Sequence, residues 1–303
     1  MRLDIVIVSF HSAHLIGRAV ATARELGGDT AHVIVVDNSP GDGAADVVRA
    51  ANPAATIIPN PVNRGYAAAV NQALAVATGD IVLLLNPDVQ RISGRYDDVV
   101  EAFREPRVAA VAPRLLDMDG MVQPTCFRAP RPFDLISEEL ALVHRFPRWR
   151  RPRLYRLLDW DYRDARRVDA VTGACLFLRR AAVADVGPFD ERFFVYYEET
   201  DWLIRAKRRG WHTVFLPALE AVHVSAGSSP GASVPASLLL LESQHRYARK
   251  HFGPVANTAL RVALLGIDSA RLARHALAGH VTRRDTARKR MRVHLTMRAP
   301  RPS

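Results

Sequence analysis

The feature that most constrains the fold is the alternation of short apolar runs with helical stretches in the first hundred residues. The apolar runs carry β-branched residues on both faces, which is typical of strands that helices cover on each side. The pattern predicts βαβ units around a mostly parallel sheet, an α/β fold. The predicted strands are 3–9, 32–37, 55–58 and 80–86, and the predicted helices are about 13–26, 43–51, 65–77 and 94–104.

The periodicity weakens after residue 117, and residues 125–167 are rich in Pro, Arg and aromatic residues. This composition indicates an insertion of loops and helices. We expect a first half at 1–116, a second half at 117–232 and a helical, basic extension at 233–303. The later predicted elements are a strand at 171–178, a helix ending near Gly187, a helix at about 200–209, a strand at 212–216, helices at 236–251 and 257–277, and a basic tail over the last twenty residues.

Composition and short motifs argue against several classes of protein. The apolar content of 49% is that of a globular chain. Cys126 and Cys175 are far apart and suggest neither a disulfide framework nor a zinc site, so a reducing cytoplasm fits best. We expect no secretory signal, and the apolar stretches are too short to span a bilayer. Neither GxGxxG nor a P-loop motif occurs, which argues against a dinucleotide enzyme or a P-loop NTPase.

The net charge of +11 is concentrated at one end of the chain. Residues 244–303 carry fourteen Arg or Lys and two Asp, a net charge of +12, whereas residues 1–243 sum to −1. A basic region mixed with apolar residues favours adsorption to anionic lipid headgroups. A solvated tail without a partner is the alternative. Nucleic-acid binding is not expected, because no helix-turn-helix or RNA-binding signature accompanies the charge.

Two predicted strands end in carboxylates at the edge where open α/β sheets bind ligands. Asp37 follows the second strand and could accept hydrogen bonds from a nucleotide, or it could cap the following turn. Asp88 follows the fourth strand in Asn86-Pro87-Asp88. Its oxygens suit Mg²⁺ or Mn²⁺, although an Asp after Pro is also common in simple turns.

Six motifs follow one another along the chain: VIVSFHS at 6–12, VVDNSPGDG at 35–43, NPVNRGYAAAVNQAL at 60–74, LLLNPDV at 83–89, GACLFLRR at 173–180 and FDERFFVYYEETDWLIRAKRRGW at 189–211. This ordered set is far more specific than any single motif. It resembles the family 2 glycosyltransferases of GT-A fold, and among them the bacterial rhamnosyltransferase-like branch. The resemblance covers roughly residues 3–230.

The resemblance implies a nucleotide-sugar-binding half at 1–116, an acceptor-binding half at 117–232 and a metal site. Asn86-Pro87-Asp88 takes the place of the family's Asp-x-Asp motif with its first Asp replaced, so Asp88 is the expected direct ligand of Mg²⁺ or Mn²⁺. His223 matches the place where relatives bring a histidine to the metal, although a lone His at a strand end is more often structural. The implied donor-binding residues are Ser9 and Asp37 at the base, and Asn63, Arg64, Gly65, Asn71, Asn86 and Asp88 at the phosphates and sugar.

The resemblance also implies a general base. The family's Glu-Asp-x-Asp stretch corresponds to Glu198-Glu199-Thr200-Asp201, so Glu199 is the expected base in place of an Asp. Glu198 and Asp201 remain alternatives, and all three acids could simply stabilise the start of a helix. Asp201 precedes Arg205 by four residues, which favours a structural ion pair. The acceptor-binding residues implied are Gly173, Ala174, Glu198 and Trp202.

The expected function is the inverting transfer of a sugar from a nucleotide diphosphate, with dTDP-L-rhamnose as the leading donor. The expected acceptor is a polyprenyl-diphosphate-linked glycan in cell-wall or polysaccharide synthesis. This chemistry would place the protein in the cytoplasm, at the inner face of the plasma membrane. The alternatives are a transferase of the same fold that uses a UDP- or GDP-linked sugar, and a non-catalytic protein that binds a nucleotide sugar or nucleic acid.

Overall fold

The computed structural model describes residues 1–39, 41–224, 234–299 and 301. Eleven strands and twelve α-helices are assigned in these ranges. The strands are β1 (Leu3–Ser9), β2 (His32–Asp37), β3 (Thr56–Pro59), β4 (Ile81–Leu85), β5 (Val89–Ser93), β6 (Val108–Leu116), β7 (Cys126–Phe127), β8 (Arg166–Val168), β9 (Ala170–Val171), β10 (Cys175–Arg179) and β11 (His212–His223). The helices are α1 (Ala13–Gly27), α2 (Ala44–Ala51), α3 (Tyr66–Val76), α4 (Tyr96–Ala102), α5 (Pro132–Glu139), α6 (Leu142–Arg145), α7 (Arg150–Tyr155), α8 (Arg180–Val186), α9 (Glu198–Arg208), α10 (Ala236–His251), α11 (Pro254–Leu277) and α12 (Val281–Thr296).

Nine strands form one mixed sheet in the order β3-β2-β1-β4-β10-β6-β11-β5, with β8 paired to β11. The first four strands in this order are parallel to one another, and β6 and β11 run in the same direction. Only β10, β5 and β8 run the opposite way within the described ranges. The predicted α/β fold with a mostly parallel central sheet is confirmed.

Helices cover both faces of this sheet, as the apolar character of its strands requires. Alternate side chains of β1 point to opposite faces. Ile5 and Ile7 belong to a buried cluster with residues of α1, α2 and α4, whereas Val6 and Val8 belong to a second cluster with residues of α3, α8 and α9. The two faces therefore bury separate hydrophobic clusters, and the carboxyl ends of β1, β2 and β4 remain at one edge.

The second half of the sheet differs from the sequence prediction. Strands β5 and β6 were not predicted, and the helix expected at 94–104 is the shorter α4. The sequence of β6, VAAVAPRLL, is rich in alanine and contains Pro113, both of which weaken a strand pattern. Pairing with β10 and β11 and burial in the core stabilise β6 instead.

The insertion and the C-terminal helices form a third layer. Residues 125–167 contain the short helices α5–α7, and Leu135 of α5 packs against Leu238 of α10 and Leu260 and Leu264 of α11. The predicted boundary between 232 and 233 falls in 225–233, outside the described residues. Strands from both sides of residue 116 share one sheet, so the two predicted halves form one body in the fold. Their separate binding roles stay a prediction.

The basic tail predicted for the last twenty residues consists largely of α12, and part of this helix is packed. Val293 and His294 of α12 are buried against α10 and α11. Several cations of this region lie in ion pairs with carboxylates rather than in solvent: Arg246 and Arg301 with Glu242, and Arg271 and Arg290 with Glu139 and Asp268. A large part of the basic charge therefore stabilises the fold. No helix in the described ranges is both long and apolar enough to cross a membrane.

Asp201 joins the sheet domain to this helical layer. Its fully buried carboxylate accepts hydrogen bonds from Arg205 on the same helix (2.9 Å) and from Lys250 (2.9 Å) and His251 (2.7 Å) on α10. The predicted pair with Arg205 is confirmed. Burial alone would raise the pKa of Asp201, but the hydrogen bonds from His251 and Lys250 and the charge of Arg205 hold that pKa below its usual value.

We predict that Asp201→Asn lowers the free energy of unfolding by about 3 kcal/mol at neutral pH, because it removes the buried negative charge that Arg205 and Lys250 share. The control is Asp46→Asn, which alters the exposed ion pair with Arg49. This substitution should change the free energy of unfolding by less than about 0.5 kcal/mol. Because the folded-state pKa is depressed, the deficit should shrink as the pH falls below about 4. Urea denaturation across this range tests both points. Equal losses in the two variants would contradict the assignment.

Candidate active site

A cavity of about 520 Å³ opens at the carboxyl edge of the sheet. It is bounded by the segments that follow β1, β2 and β4, by the 172–174 turn between β9 and β10, by the start of α9 and by the start of α10. Parallel strands deliver their following residues to the same edge, and this position is the usual ligand site of open α/β sheets. Polar and acidic side chains therefore converge here from distant parts of the sequence.

Asp88 and His223 meet in this cavity. Asp88 follows the five buried residues of β4, and His223 ends β11 at an irregularity in its pairing with β5. His223 Nε2 lies 3.3 Å from Asp88 Oδ2, and His223 Nδ1 lies 3.0 Å from Gln123 Oε1. The backbone N–H of Val224 donates to the Asp88 carbonyl at 3.1 Å. The strand order thus brings together two residues that are 135 positions apart in sequence.

The second carboxylate oxygen of Asp88, Oδ1, is suited to coordinate a cation. Asp88 Oδ1 is buried and accepts no hydrogen bond from the part of the chain that the structure describes. Such an atom is costly unless a ligand or water satisfies it. No group of three or more His, Cys, Asp or Glu side chains suited to a metal occurs among the described residues, so the protein offers one carboxylate and one imidazole. That set suits an ion whose shell substrate and water complete.

The acids at the start of α9 are held by an unusual turn. Tyr196 and Tyr197 both have positive φ angles, 69° and 68°, which are uncommon for residues other than glycine. Glu198 and Glu199 follow this turn and begin α9 beside the cavity. Backbone strain of this kind is often found at functional sites.

Burial perturbs both glutamates. Glu198 is 5% exposed, and its Oε2 has no hydrogen-bond partner among the described residues. Burial, and then the charge of Glu199, raise the pKa of Glu198 well above its usual value. Burial raises the pKa of Glu199 to about 7, although hydrogen bonds from its own backbone and from Thr200 and Gly173 oppose the rise. A carboxylate with this pKa can accept a proton near neutral pH.

Of the three candidate bases, Glu199 has the best geometry. Asp201 is fully buried, and its carboxylate is bonded to cations of α9 and α10. Glu198 is more deeply buried than the half-buried Glu199. A Cβ at Gly173 would lie 3.4 Å from Glu199 Cγ, so Gly173 and Glu199 are close neighbours in the cavity wall.

The loop before α3 contacts the loop before α9. Gly65 has φ of +86°, and a Cβ there would lie 2.5 Å from the Phe194 carbonyl oxygen, so only glycine permits the approach. The N–H of Tyr66 donates to the same oxygen at 2.6 Å, and Asn63 Oδ1 accepts from Gly65 N–H at 2.9 Å. Burial raises the pKa of Tyr66, and Glu198, Glu199 and Asp88 raise it further, which places three carboxylates around one ring.

The structure brings nine of the fourteen predicted site residues to the cavity wall: Asn63, Gly65, Asn86, Asp88, Gly173, Ala174, Glu198, Glu199 and His223. The proximity of Asn86 to Ala174 follows from a hydrogen bond, at 2.8 Å, from the Asn86 N–H to the Ala174 carbonyl. The roles assigned to these residues stay predictions.

Five predicted residues do not line the cavity. Trp202 is fully buried, where its ring stacks on Phe189 and its Nε1 donates to the Gly187 carbonyl. Asn71 is bonded to the backbone of Phe189 and to Glu191. The other three are Ser9, Asp37 and Arg64. Ser9 is buried and shares a hydrogen bond with Ser12, and Asp37 accepts a hydrogen bond from the Ser39 N–H at 3.0 Å within its turn. Arg64 is exposed to solvent.

Other cavity residues received no role from the sequence. His11, Asn38 and Tyr66 line the cavity although they lie inside three of the quoted motifs. The sequence could have indicated them by their position, because each lies shortly after a predicted strand or at the start of a predicted helix. Val234 and Leu239 give the cavity an apolar wall from the helical layer, and nothing in their local sequence indicates this.

Comparison with known proteins identifies the family. Residues 4–184, more than half of the chain, match the sequence profile of Glycosyl transferase family 2. The chain belongs to this family. An N-acetylglucosaminyl-diphospho-decaprenol L-rhamnosyltransferase of Mycobacterium tuberculosis is 31% identical over 269 residues, which cover 83% of this chain and 85% of that protein. The predicted membership of family 2 and of its rhamnosyltransferase-like branch is confirmed.

Solved glycosyltransferases share the fold. The mannosyltransferase PcManGT of Pyrobaculum calidifontis, solved with GDP-Man and Mn²⁺, superposes with a TM-score of 0.54 at 19% identity and covers 98% of this chain and 84% of that one. S. aureus TarS 1–349 gives a TM-score of 0.51 at 14% identity and covers 99% and 93%. The GT-A fold of this family 2 glycosyltransferase is therefore confirmed.

We predict that kcat/KM for sugar transfer rises with pH through about 7 and levels off above it, because the Glu199 carboxylate must be deprotonated to accept a proton. Glu199→Gln should bind donor with unchanged affinity and transfer sugar at least about 100-fold more slowly. Steady-state rates across the pH range and calorimetric donor binding measure these effects. The matched variant Glu198→Gln should keep the pH dependence. Full activity in Glu199→Gln would assign the base to Glu198.

Proposed function

We propose that the chain is an inverting, metal-dependent glycosyltransferase that moves L-rhamnose from dTDP-L-rhamnose to a polyprenyl-diphosphate-linked glycan. The observation that carries this proposal is the meeting of Glu199 with Asp88 and His223 in one cavity. A base and a cation-binding pair at one site are what direct displacement of a nucleotide diphosphate requires.

In the proposed reaction Glu199 accepts the proton of the acceptor hydroxyl. The hydroxyl oxygen forms a bond to the anomeric carbon while the bond from that carbon to the diphosphate oxygen breaks. Attack opposite the leaving group inverts the configuration. Burial of Glu199 supports this role, because it raises the proton affinity of the carboxylate toward that needed at neutral pH.

Asp88 and His223 are the residues that would hold Mg²⁺ or Mn²⁺. The unpaired Oδ1 of Asp88 supports this assignment. A divalent cation bound there would neutralise the negative charge that develops on the departing diphosphate. With no glycine-rich phosphate loop in the sequence, the chain has few other means of stabilising this charge.

The proposed acceptor follows from the mycobacterial relative, whose name specifies a diphospho-decaprenol-linked sugar. The high coverage of both chains supports a shared substrate class. The apolar wall formed by Val234 and Leu239 faces the same cavity as Glu199 and offers a surface for the less polar parts of an acceptor. Such an acceptor would place the enzyme at the cytoplasmic face of the plasma membrane.

We predict that dTDP-L-rhamnose raises the melting temperature only when Mg²⁺ or Mn²⁺ is present. A ligand at 100 times its Kd should add about 2.7 kcal/mol of stability. Asp88→Ala should abolish this metal-dependent shift, whereas Glu199→Gln should retain it. Thermal melting with a panel of dTDP-, UDP- and GDP-sugars measures the effect and identifies the donor.

Two results would contradict the proposal. Transfer that is unchanged in excess chelator would exclude the metal. A donor that binds but is neither hydrolysed nor transferred in Mn²⁺ would favour a non-catalytic nucleotide-sugar-binding protein.

A further inference from the structure

The insertion carries a surface that the active site does not explain. Residues 144–151, from the last two residues of α6 to the first two of α7, are all exposed. Two of them are large aromatic residues, Phe146 at 55% and Trp149 at 43% exposure. Soluble domains seldom place two such side chains side by side in water without a partner.

These aromatic side chains have an ordered arrangement. The Trp149 ring lies 5.5 Å from Phe133 and 6.3 Å from Phe146, both in edge-to-face geometry. The N–H of Phe146 donates to the Leu142 carbonyl at 2.8 Å, and that of Trp149 donates to the Phe146 carbonyl at 2.9 Å. Hydrogen-bonded turns therefore hold the rings on a short projection anchored to α5.

Positive charge surrounds the rings. Residues 144–154 contain five arginines and no acidic residue: Arg145, Arg148, Arg150, Arg151 and Arg153. Among the described residues, Arg153 alone of the five forms an ion pair, with Asp159, and Arg151 lies over the Phe133 ring at 4.2 Å. The nearby acids are already bonded, Glu138 to Arg156 and Glu139 to Arg271. We call Phe133, Phe146, Trp149 and these five arginines the aromatic–arginine surface.

This surface connects to the cavity through α7 and α5. Tyr155, the last residue of α7, shares a hydrogen bond with Tyr197, which precedes Glu198. Leu135 of α5 belongs to the same hydrophobic cluster as Leu239, which lines the cavity. Packed residues therefore link this surface to the segment that leads to Glu198 and to the apolar wall of the cavity.

We propose that the aromatic–arginine surface docks the enzyme on an anionic lipid bilayer, with Phe146 and Trp149 inserted at the headgroup level and the arginines paired with lipid phosphates. Trp and Phe are favoured at this depth, and arginine binds phosphate through two parallel hydrogen bonds. Nucleic acid fits less well, since single strands bind in grooves with free aromatic faces, whereas these rings pack against one another on a projection. Only the purpose of docking, which is access to a lipid-linked acceptor, rests on the proposed function.

The docking surface differs from the C-terminal region that the sequence alone suggested. There, Arg246, Arg271, Arg290 and Arg301 are bonded to carboxylates of the fold. Arg283 and Arg292 of α12 are exposed, but the large aromatic side chains that would insert lie in the insertion instead. The two regions can therefore be tested separately.

The test measures vesicle co-sedimentation of the full chain without donor or acceptor, using phosphatidylglycerol–phosphatidylcholine vesicles and pure phosphatidylcholine vesicles. Phe146→Ser with Trp149→Ser should weaken partitioning into the anionic vesicles by roughly 100-fold or more. Arg148→Gln with Arg150→Gln should weaken it about 25-fold, or about fivefold for each arginine. Two control variants should bind as the unaltered chain does: Val76→Ser, at a residue of α3 with 46% exposure, and Arg283→Gln with Arg292→Gln.

Trp149 also provides a direct probe, because the other three tryptophans are buried or half-buried. Its emission should shift to the blue on addition of anionic vesicles and should be quenched by brominated lipid. The proposal would be overturned if the emission did not shift, or if only the Arg283 and Arg292 variant lost vesicle binding. It would also be overturned if the Phe146 and Trp149 variant kept its vesicle binding. Binding of the unaltered chain to oligonucleotide but not to vesicles would likewise contradict it.

Transfer to a soluble acceptor analogue separates this proposal from the proposed function. The aromatic and arginine variants should keep that activity and their melting temperature. Loss of vesicle binding with normal soluble transfer supports docking. Vesicle binding by a chain that transfers no sugar would contradict the proposed function and leave the docking surface supported.

Discussion

The burial of Glu198 beside the half-buried Glu199 is the constraint on which the site depends. Glu198 and Glu199 begin α9 behind a turn with two positive φ angles, and the charge of one opposes ionisation of the other. Such an arrangement lasts only if α9 is held firmly, because solvation would otherwise pull the carboxylates outward. Asp201, fully buried two residues later and bonded to α10, provides this anchor. The helical layer therefore supports the chemistry although only its first turn reaches the cavity.

The same helical layer contains many of the chain's basic residues in ion pairs. The cluster formed by Glu139, Asp268, Arg271, Arg290 and His294 joins α5, α11 and α12 with little solvent exposure. Buried ion pairs fix geometry more than they add stability, since desolvation offsets much of their attraction. Their effect here is to hold α5, and with it the insertion, at a defined position beside the sheet domain. A net charge counted along a sequence cannot distinguish these cations from exposed ones.

The first half of the fold and the main elements of the site could be predicted from the sequence because the signals are local. Strands β1 and β2 were predicted to the residue, and Asp88, Glu199 and His223 were expected from strand ends and ordered motifs. Strand β6 was missed, since its alanines become a strand only when neighbours bury them. Trp202 was assigned to the acceptor site, but tertiary packing places its ring in the core. These outcomes depend on contacts between distant residues, which no local pattern records.

The close approach of Gly65 to Phe194 joins two walls of the cavity. The loop before α3 and the segment that leads to Glu199 are joined by the hydrogen bond from Tyr66 N–H to the Phe194 carbonyl. Neither loop can move away from the other without breaking that bond. A substitution at Gly65 would consequently displace the chain that leads to Glu199, although the two positions are far apart in sequence.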